Sequence, residues 1–164
     1  MNIQTVGIIG AGTMGNGIAQ ACAVSGVNVV MVDISEAAVA KGISTVSGSL
    51  DRLVKKEKIS EADKAAALAR IQGSTRYDDL QGAQLVIEAA TENHELKVKI
   101  LRQLDGLLAP NVIIASNTSS ISITQLAAAT QRADRFIGMH FFNPVPMMAL
   151  VEIIRGLQTS DATH

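Results

Sequence analysis

The chain has 164 residues, 48% of them apolar and 18% charged, which is enough to bury a core and too apolar for a disordered protein. Its formal net charge of -1 gives no indication of a nucleic-acid partner, and no apolar run reaches the roughly 18 residues of a membrane span. The single cysteine, Cys22, excludes an internal disulfide. Because a strand begins almost at once, leaving no room for a signal peptide, these features predict a cytoplasmic protein.

The first element is an apolar run at residues 6–9, followed by three glycines in the pattern G-x-G-x-x-G and then by a helical pattern. Gly10 permits a tight turn off the strand, Gly12 leaves space for a pyrophosphate, and Gly15 allows the helix to pack closely on the strand. The helix N-terminus offers free N–H groups to phosphates. The pattern predicts a dinucleotide site, and a glycine-rich turn without a ligand is the alternative.

A second buried strand is predicted at residues 27–32, and it ends at Asp33, 21 residues after Gly12. A carboxylate at that distance accepts hydrogen bonds from the adenosine ribose. It also repels a 2′-phosphate, so the expected cofactor is NAD rather than NADP. The alternative is an aspartate that only caps the next helix.

A long helical segment comes next, and it predicts a helical hairpin inserted after the second strand. Its first helix carries an apolar stripe at Val39, Ile43, Val46, Leu50 and Leu53. Ser60 is expected to cap a second helix from Glu61 to about Gln72. Lys55, Lys56 and Lys58 cluster near the tip, either as a solvated helix end or as a site for the phosphates of a substrate tail.

The remaining pattern alternates strands with helices. Short strands are expected at 73–75, 84–88, 112–115, 135–139 and 148–154, with a helix capped by Asn93 and a short helix at 124–129. This order predicts one doubly wound α/β domain over residues 1–164, with a mostly parallel sheet of the Rossmann type.

Polar clusters follow four of these strands, at Asp33, at 92–93, at 117–120 and at 140–143. Ligands of such sheets bind at the carboxyl ends of the strands, so the four clusters are expected to converge on one edge.

His140 is the best candidate for a general base, because histidine titrates near neutrality and can accept the proton of an alcohol that loses a hydride. The alternative is a histidine buried in the core or a loop. Glu152 lies 12 residues later, across a proline-rich turn. If the two strands pair antiparallel, its carboxylate can face the imidazole and orient it; otherwise it points to solvent. No spacing of His, Cys or carboxylates predicts a metal site.

Four segments resemble a known family over essentially all 164 residues: GAGTMGNGIAQ, IEAATEN, SNTSSISI and GMHFFNPVPMMALVEII. They are similar to the N-terminal domain of the L-3-hydroxyacyl-CoA dehydrogenases, whose short bacterial members are called 3-hydroxybutyryl-CoA dehydrogenases. The SNTSS and HFFNPVP parts of these segments are far more specific than the glycine motif.

The resemblance implies a role for individual residues. It makes His140 the base and Glu152 its partner, while Ser119 binds the 3-oxygen of the substrate and Asn143 holds substrate and nicotinamide. Ser49 and Lys56 match positions that contact coenzyme A. The implied cofactor-binding residues are Gly10, Gly12, Thr13, Met14, Gly15, Asp33, Glu92, Lys97, Asn117, Ser119 and Asn143.

The resemblance also implies a further helical domain of about a hundred residues, absent from this chain, that supplies most of a homodimer interface and part of the acyl site. Two other functions stay open. One is an NAD-dependent dehydrogenase of a free hydroxy or sugar acid, and the other is an NAD-binding domain without catalysis.

Overall fold

The computed structural model of the chain describes residues 2–164. The strands are β1 (Thr5–Ile9), β2 (Asn28–Val32), β3 (Ile71–Ser74), β4 (Leu85–Glu88), β5 (Ile113–Ser116), β6 (Phe136–Phe141) and β7 (Val151–Arg155). The helices are α1 (Thr13–Val24), α2 (Glu36–Lys55), α3 (Glu61–Ala69), α4 (His94–Leu107) and α5 (Ile123–Ala128). Short 3₁₀ turns lie at Tyr77–Leu80, Ala133–Arg135 and Val145–Met147.

All seven strands form one sheet in the order β3-β2-β1-β4-β5-β6-β7. The first six strands are parallel, and β7 pairs antiparallel with β6. The chain order reverses between β1 and β4, which is where a doubly wound sheet opens its ligand crevice. The predicted Rossmann-type fold is confirmed.

The core has two layers, one on each face of the sheet, because successive strand residues point to opposite sides. On β1, Ile8 packs with Ile18 of α1 and Leu50 of α2, while Ile9 packs with Leu104 of α4 on the other face. These side chains are buried, so the helices cover both faces of the sheet and leave its carboxyl edge open.

The predicted helical hairpin is confirmed as α2 and α3. The Ser60 side chain accepts from the Asp63 N–H, and the Asp63 carboxylate accepts from the Ser60 N–H, a capping box at the start of α3. The predicted end of α3 near Gln72 is wrong. The helix ends at Ala69, because Ile71 already pairs with Val29 as the first residue of β3.

Two further boundaries differ from the predictions at the end of the chain. The strand expected to end before His140 extends through it to Phe141, and the last strand begins at Val151 rather than Met148. Pro144 explains the second difference, because its carbonyl accepts from the N–H of Met148 and closes a turn that cannot join the ladder.

Cys22 lies half-buried on α1, where desolvation raises the pKa of its thiol to about 11. The thiol is therefore protonated at neutral pH and is not a nucleophile.

Within residues 2–164, no three side chains of the metal-binding types stand close enough together to hold a metal ion. No helix in this part of the chain has both the length and the apolar character needed to cross a membrane.

Candidate active site

The four polar clusters meet at one edge of the sheet, as predicted. They follow β2, β4, β5 and β6, which all run in the same direction within the sheet. The expected site therefore lies across the carboxyl ends of the central strands.

The glycine turn between β1 and α1 has the geometry that a pyrophosphate requires. Gly10 has a φ of +109°, and a Cβ there would lie 2.8 Å from the carbonyl oxygen of Ala89. A Cβ on Gly15 would lie 1.8 Å from the oxygen of Gly10, so the helix packs on the turn without room for a side chain. A Cβ on Gly12 would meet nothing within 4 Å, which leaves open space at the helix N-terminus.

No side chain caps this helix, and its first turn holds no acidic residue. The backbone N–H groups of Thr13 and Met14 are therefore available to an anion at the end of the α1 dipole. The residues present fit the phosphates of a dinucleotide.

Asp33 connects the glycine turn to an adjacent cavity. Its carboxylate accepts hydrogen bonds from the N–H groups of Ala11, at 2.8 Å, and Ile34, at 2.7 Å. Each oxygen keeps lone pairs for further donors. The same side chain lines a cavity of about 570 Å³ together with Tyr77 and residues of α4. Burial, together with the carboxylates of Asp33 and Glu88, raises the pKa of Tyr77, so its hydroxyl is a neutral donor in this wall.

Glu92 joins the loops that follow β4 and β5. One oxygen of its carboxylate accepts from the hydroxyls of Thr118 and Ser120, both at 2.9 Å. Asn117 is buried, and its side-chain oxygen accepts from the N–H of Phe141 at 2.8 Å. The loop after β5 is thus held on both sides, and Ser119 stands exposed on it.

Lys97 does not stand at the surface of the site. Its side chain is fully buried, and its ammonium lies 2.5 Å from Oε1 of Glu88, the last residue of β4. Ser116 donates to the same oxygen at 2.8 Å. The implied contact of Lys97 with NAD stays a prediction.

Glu88 lies beside the site and is not among the residues that the sequence predicts for it. Two features of the sequence could have indicated this residue. Glu88 is a carboxylate at the end of an apolar strand, and Lys97 lies on the buried stripe of α4, seven residues before Leu104. A lysine on such a stripe requires a partner inside the protein.

His140 and Glu152 face each other across the β6–β7 ladder, so the orientation left open by the sequence is resolved. They are directly paired in the antiparallel register, and Nδ1 of His140 lies 3.6 Å from Oε1 of Glu152. This separation exceeds a hydrogen bond. The ring of Phe142 packs on the imidazole with centroids 4.5 Å apart. His140 is 21% exposed and Glu152 is 52% exposed.

A second cavity, of about 420 Å³, lies between the helical hairpin and the turn that follows β6. Asn143 and Pro146 line one wall, and the opposite wall holds the side chains of Ser49, Arg52, Lys56 and Lys58. None of these three cations is in an ion pair with a described residue. The structure brings Ser49 and Lys56 together with Asn143, as the resemblance implies.

The family described as "3-hydroxyacyl-CoA dehydrogenase, NAD binding domain" matches residues 5–164. The chain belongs to this family. Its cofactor is NAD, and the glycine turn with Asp33 is the part of the fold that fits it.

Three relatives show the range of the similarity. A 3-hydroxybutyryl-CoA dehydrogenase of Bradyrhizobium diazoefficiens is 53% identical over 98% of this chain. The crystal structure of (S)-3-hydroxybutyryl-CoA dehydrogenase from Ralstonia eutropha is 78% identical over 99% of this chain, with a TM-score of 0.98. An NAD⁺-dependent 5-formyl-3-hydroxy-2-methylpyridine 4-carboxylic acid 5-dehydrogenase is 34% identical over 99% of this chain, with a TM-score of 0.87.

The chain spans only part of each relative. It covers 55% of the Bradyrhizobium protein, 58% of the Ralstonia chain and 52% of the pyridine-acid dehydrogenase.

Proposed function

We propose that this chain forms the cofactor-binding and proton-transferring part of an NAD-dependent dehydrogenase of L-3-hydroxyacyl-CoA, with 3-hydroxybutyryl-CoA as the expected substrate. The observation that carries the proposal is the position of Asn143. It follows the strand of His140 and also lines the cavity that holds Ser49 and Lys56. One residue thus connects the proton-transfer pair with a cationic cavity suited to a phosphorylated substrate tail.

NAD supplies the acceptor for the hydride that leaves C3 of the substrate. His140 takes the proton of the 3-hydroxyl, and Glu152 stabilises the protonated imidazole from the neighbouring strand. Ser119 and Asn143 offer a hydroxyl and an amide that hold the 3-oxygen in place. Phe142, packed on the imidazole, keeps water from that side of the ring. In the reverse direction His140 returns the proton.

Recognition of the cofactor uses two features of the chain. The free N–H groups of the first turn of α1 bind the pyrophosphate beside Gly12, and the carboxylate of Asp33 accepts from the adenosine ribose hydroxyls. Because Asp33 already accepts from the N–H of Ala11, it also holds the glycine turn in the shape that the phosphates need.

The function is tested with a fusion that joins residues 1–164 to the part of the Ralstonia dehydrogenase that this chain does not cover. We expect NADH-dependent reduction of acetoacetyl-CoA and much slower reduction of free acetoacetate. Equal rates with the two substrates would contradict a coenzyme A thioester as the substrate.

Replacement of Asp33 by alanine is expected to weaken NAD binding by about 1–3 kcal/mol, the range for a charge-assisted hydrogen bond. NADP should gain relative to NAD, because the carboxylate no longer repels the 2′-phosphate. Calorimetric titration of both cofactors measures the two effects. Asp33→Asn is the matched control: it removes the charge and keeps an acceptor for one backbone N–H, so it should also favour NADP. Unchanged NAD affinity in Asp33→Ala would contradict the assignment.

Replacement of Lys56 by alanine is expected to weaken binding of coenzyme A about two- to fivefold, the effect of one exposed ion pair. Lys55→Ala is the matched control, since Lys55 is the preceding residue and does not line the cavity. The difference between the two variants should shrink at high salt. Equal losses in both variants would assign the lysines to a solvated helix end.

Dehydrogenation of a free acid is the second candidate, and the 34% identity to the pyridine-acid dehydrogenase favours it. The cationic cavity would then have no role in catalysis. A homodimer and a cytoplasmic location, both expected from the sequence, complete the proposal.

A further inference from the structure

Glu88 is a buried carboxylate to which the proposed reaction gives no part. It ends β4 with no exposed surface, and its carboxylate accepts three hydrogen bonds. Lys97 and Ser116 donate to one oxygen, and the N–H of Ala90 donates to the other at 2.8 Å. Its backbone carbonyl also accepts from Asn117, at 2.9 Å. Glu88 therefore contacts the two loops that follow β4 and β5.

Both loops belong to the cofactor crevice. Ala89 stands so close to the glycine turn that a Cβ on Gly10 would lie 2.8 Å from its carbonyl oxygen, and Ala90 lines the large cavity beside Asp33. Through Asn117, which accepts from the N–H of Phe141, the same contacts reach the strand that carries His140.

Stability alone does not account for a charged pair at this place. Replacing a buried ion pair by apolar side chains of similar size is often neutral or stabilising, because both charges must be desolvated. An apolar pair in place of Glu88 and Lys97 would, however, leave the N–H of Ala90 without its acceptor. The carboxylate of Glu88 accepts from this N–H, which a hydrophobic side chain cannot do.

We propose that Glu88 is a positioning residue for NAD binding. It holds the loop at residues 89–93 against Gly10 by accepting from the N–H of Ala90, and the ammonium of Lys97 lies 2.5 Å from the same carboxylate. Glu88 acts through this loop and does not touch the cofactor. The inference rests on the assignment of NAD to the glycine turn.

Two double variants test the proposal in the 164-residue chain. Glu88→Gln/Lys97→Met and Glu88→Leu/Lys97→Met both remove the charges and both lack Lys97, so any direct effect of the lysine cancels in the comparison. Glutamine keeps an oxygen that can accept from the N–H of Ala90, whereas leucine does not. We expect the dissociation constant for NAD to be about tenfold higher in the leucine variant than in the glutamine variant. The amide hydrogen of Ala90 should exchange faster in the leucine variant, a readout that does not depend on NAD.

Equal NAD affinities in the two variants, with faster exchange at Ala90 in the leucine variant, would overturn the proposal. Ser116→Ala covers the case in which the leucine variant does not fold. It removes one donor to Glu88 and leaves Lys97 in place, and it should weaken NAD binding about threefold in a chain that still folds. Unchanged NAD affinity in Ser116→Ala would count against the proposal. Failure of the unsubstituted chain to bind NAD would instead overturn the cofactor assignment.

Discussion

The 164-residue chain by itself is expected to bind NAD and to reduce acetoacetyl-CoA about a thousandfold more slowly than the fusion with the remaining part of the Ralstonia dehydrogenase. The glycine turn and Asp33 lie within the chain, so cofactor affinity should be similar in both proteins. The proton-transfer pair is open to solvent on one side, with Glu152 52% exposed. When the reacting groups are not held in position, the activation barrier rises by several kcal/mol, and about 4 kcal/mol corresponds to a thousandfold slower rate.

An exposed apolar face near His140 and Glu152 also indicates that a second domain covers this part of the chain. Its exposed members are Met147, Met148 and Leu150, which precede β7. Faces of this kind are usually covered, so we expect the chain by itself to form dimers or larger species and the fusion to cover the face. NADH oxidation and light scattering measure the two properties. Turnover equal to that of the fusion from a strict monomer would contradict the proposed need for a second domain.

His140→Gln in the fusion is expected to reduce turnover a hundred- to ten-thousandfold, the usual contribution of a general base. Glutamine keeps the approximate size of the side chain and cannot carry the proton. NAD affinity should not change, because His140 is not among the residues assigned to the cofactor. Initial rates and a calorimetric titration measure the two quantities separately.

Glu152→Gln is the matched control for the histidine variant. We expect a smaller loss of rate and a changed pH–rate profile, because Glu152 acts only through the imidazole. A rate and profile identical to the parent would show that the pairing across β6 and β7 has no catalytic role. A loss of NAD affinity in His140→Gln would show that the histidine is needed for the fold of the site.

Much of the site could be predicted from local patterns. The glycines and Asp33 depend on spacing within a single βαβ unit, and parallel strands place the strand-end clusters on one edge of the sheet. The end of α3 could not be predicted, because pairing of Ile71 with Val29 overrides the helical propensity of the segment before it. The position of Lys97 was missed for a similar reason, since a lysine in a family motif suggests a surface contact unless its buried partner is known.

The amino-acid sequence by itself determined the fold class, the NAD cofactor and the family, because these depend on residue types at short, fixed spacings. Only the tertiary structure decided three other features: the pairing of His140 with Glu152, the cavity that brings Lys56 to Asn143, and the burial of Lys97 against Glu88. Each joins residues from different elements, and such contacts are set by strand register and helix packing rather than by distance along the chain.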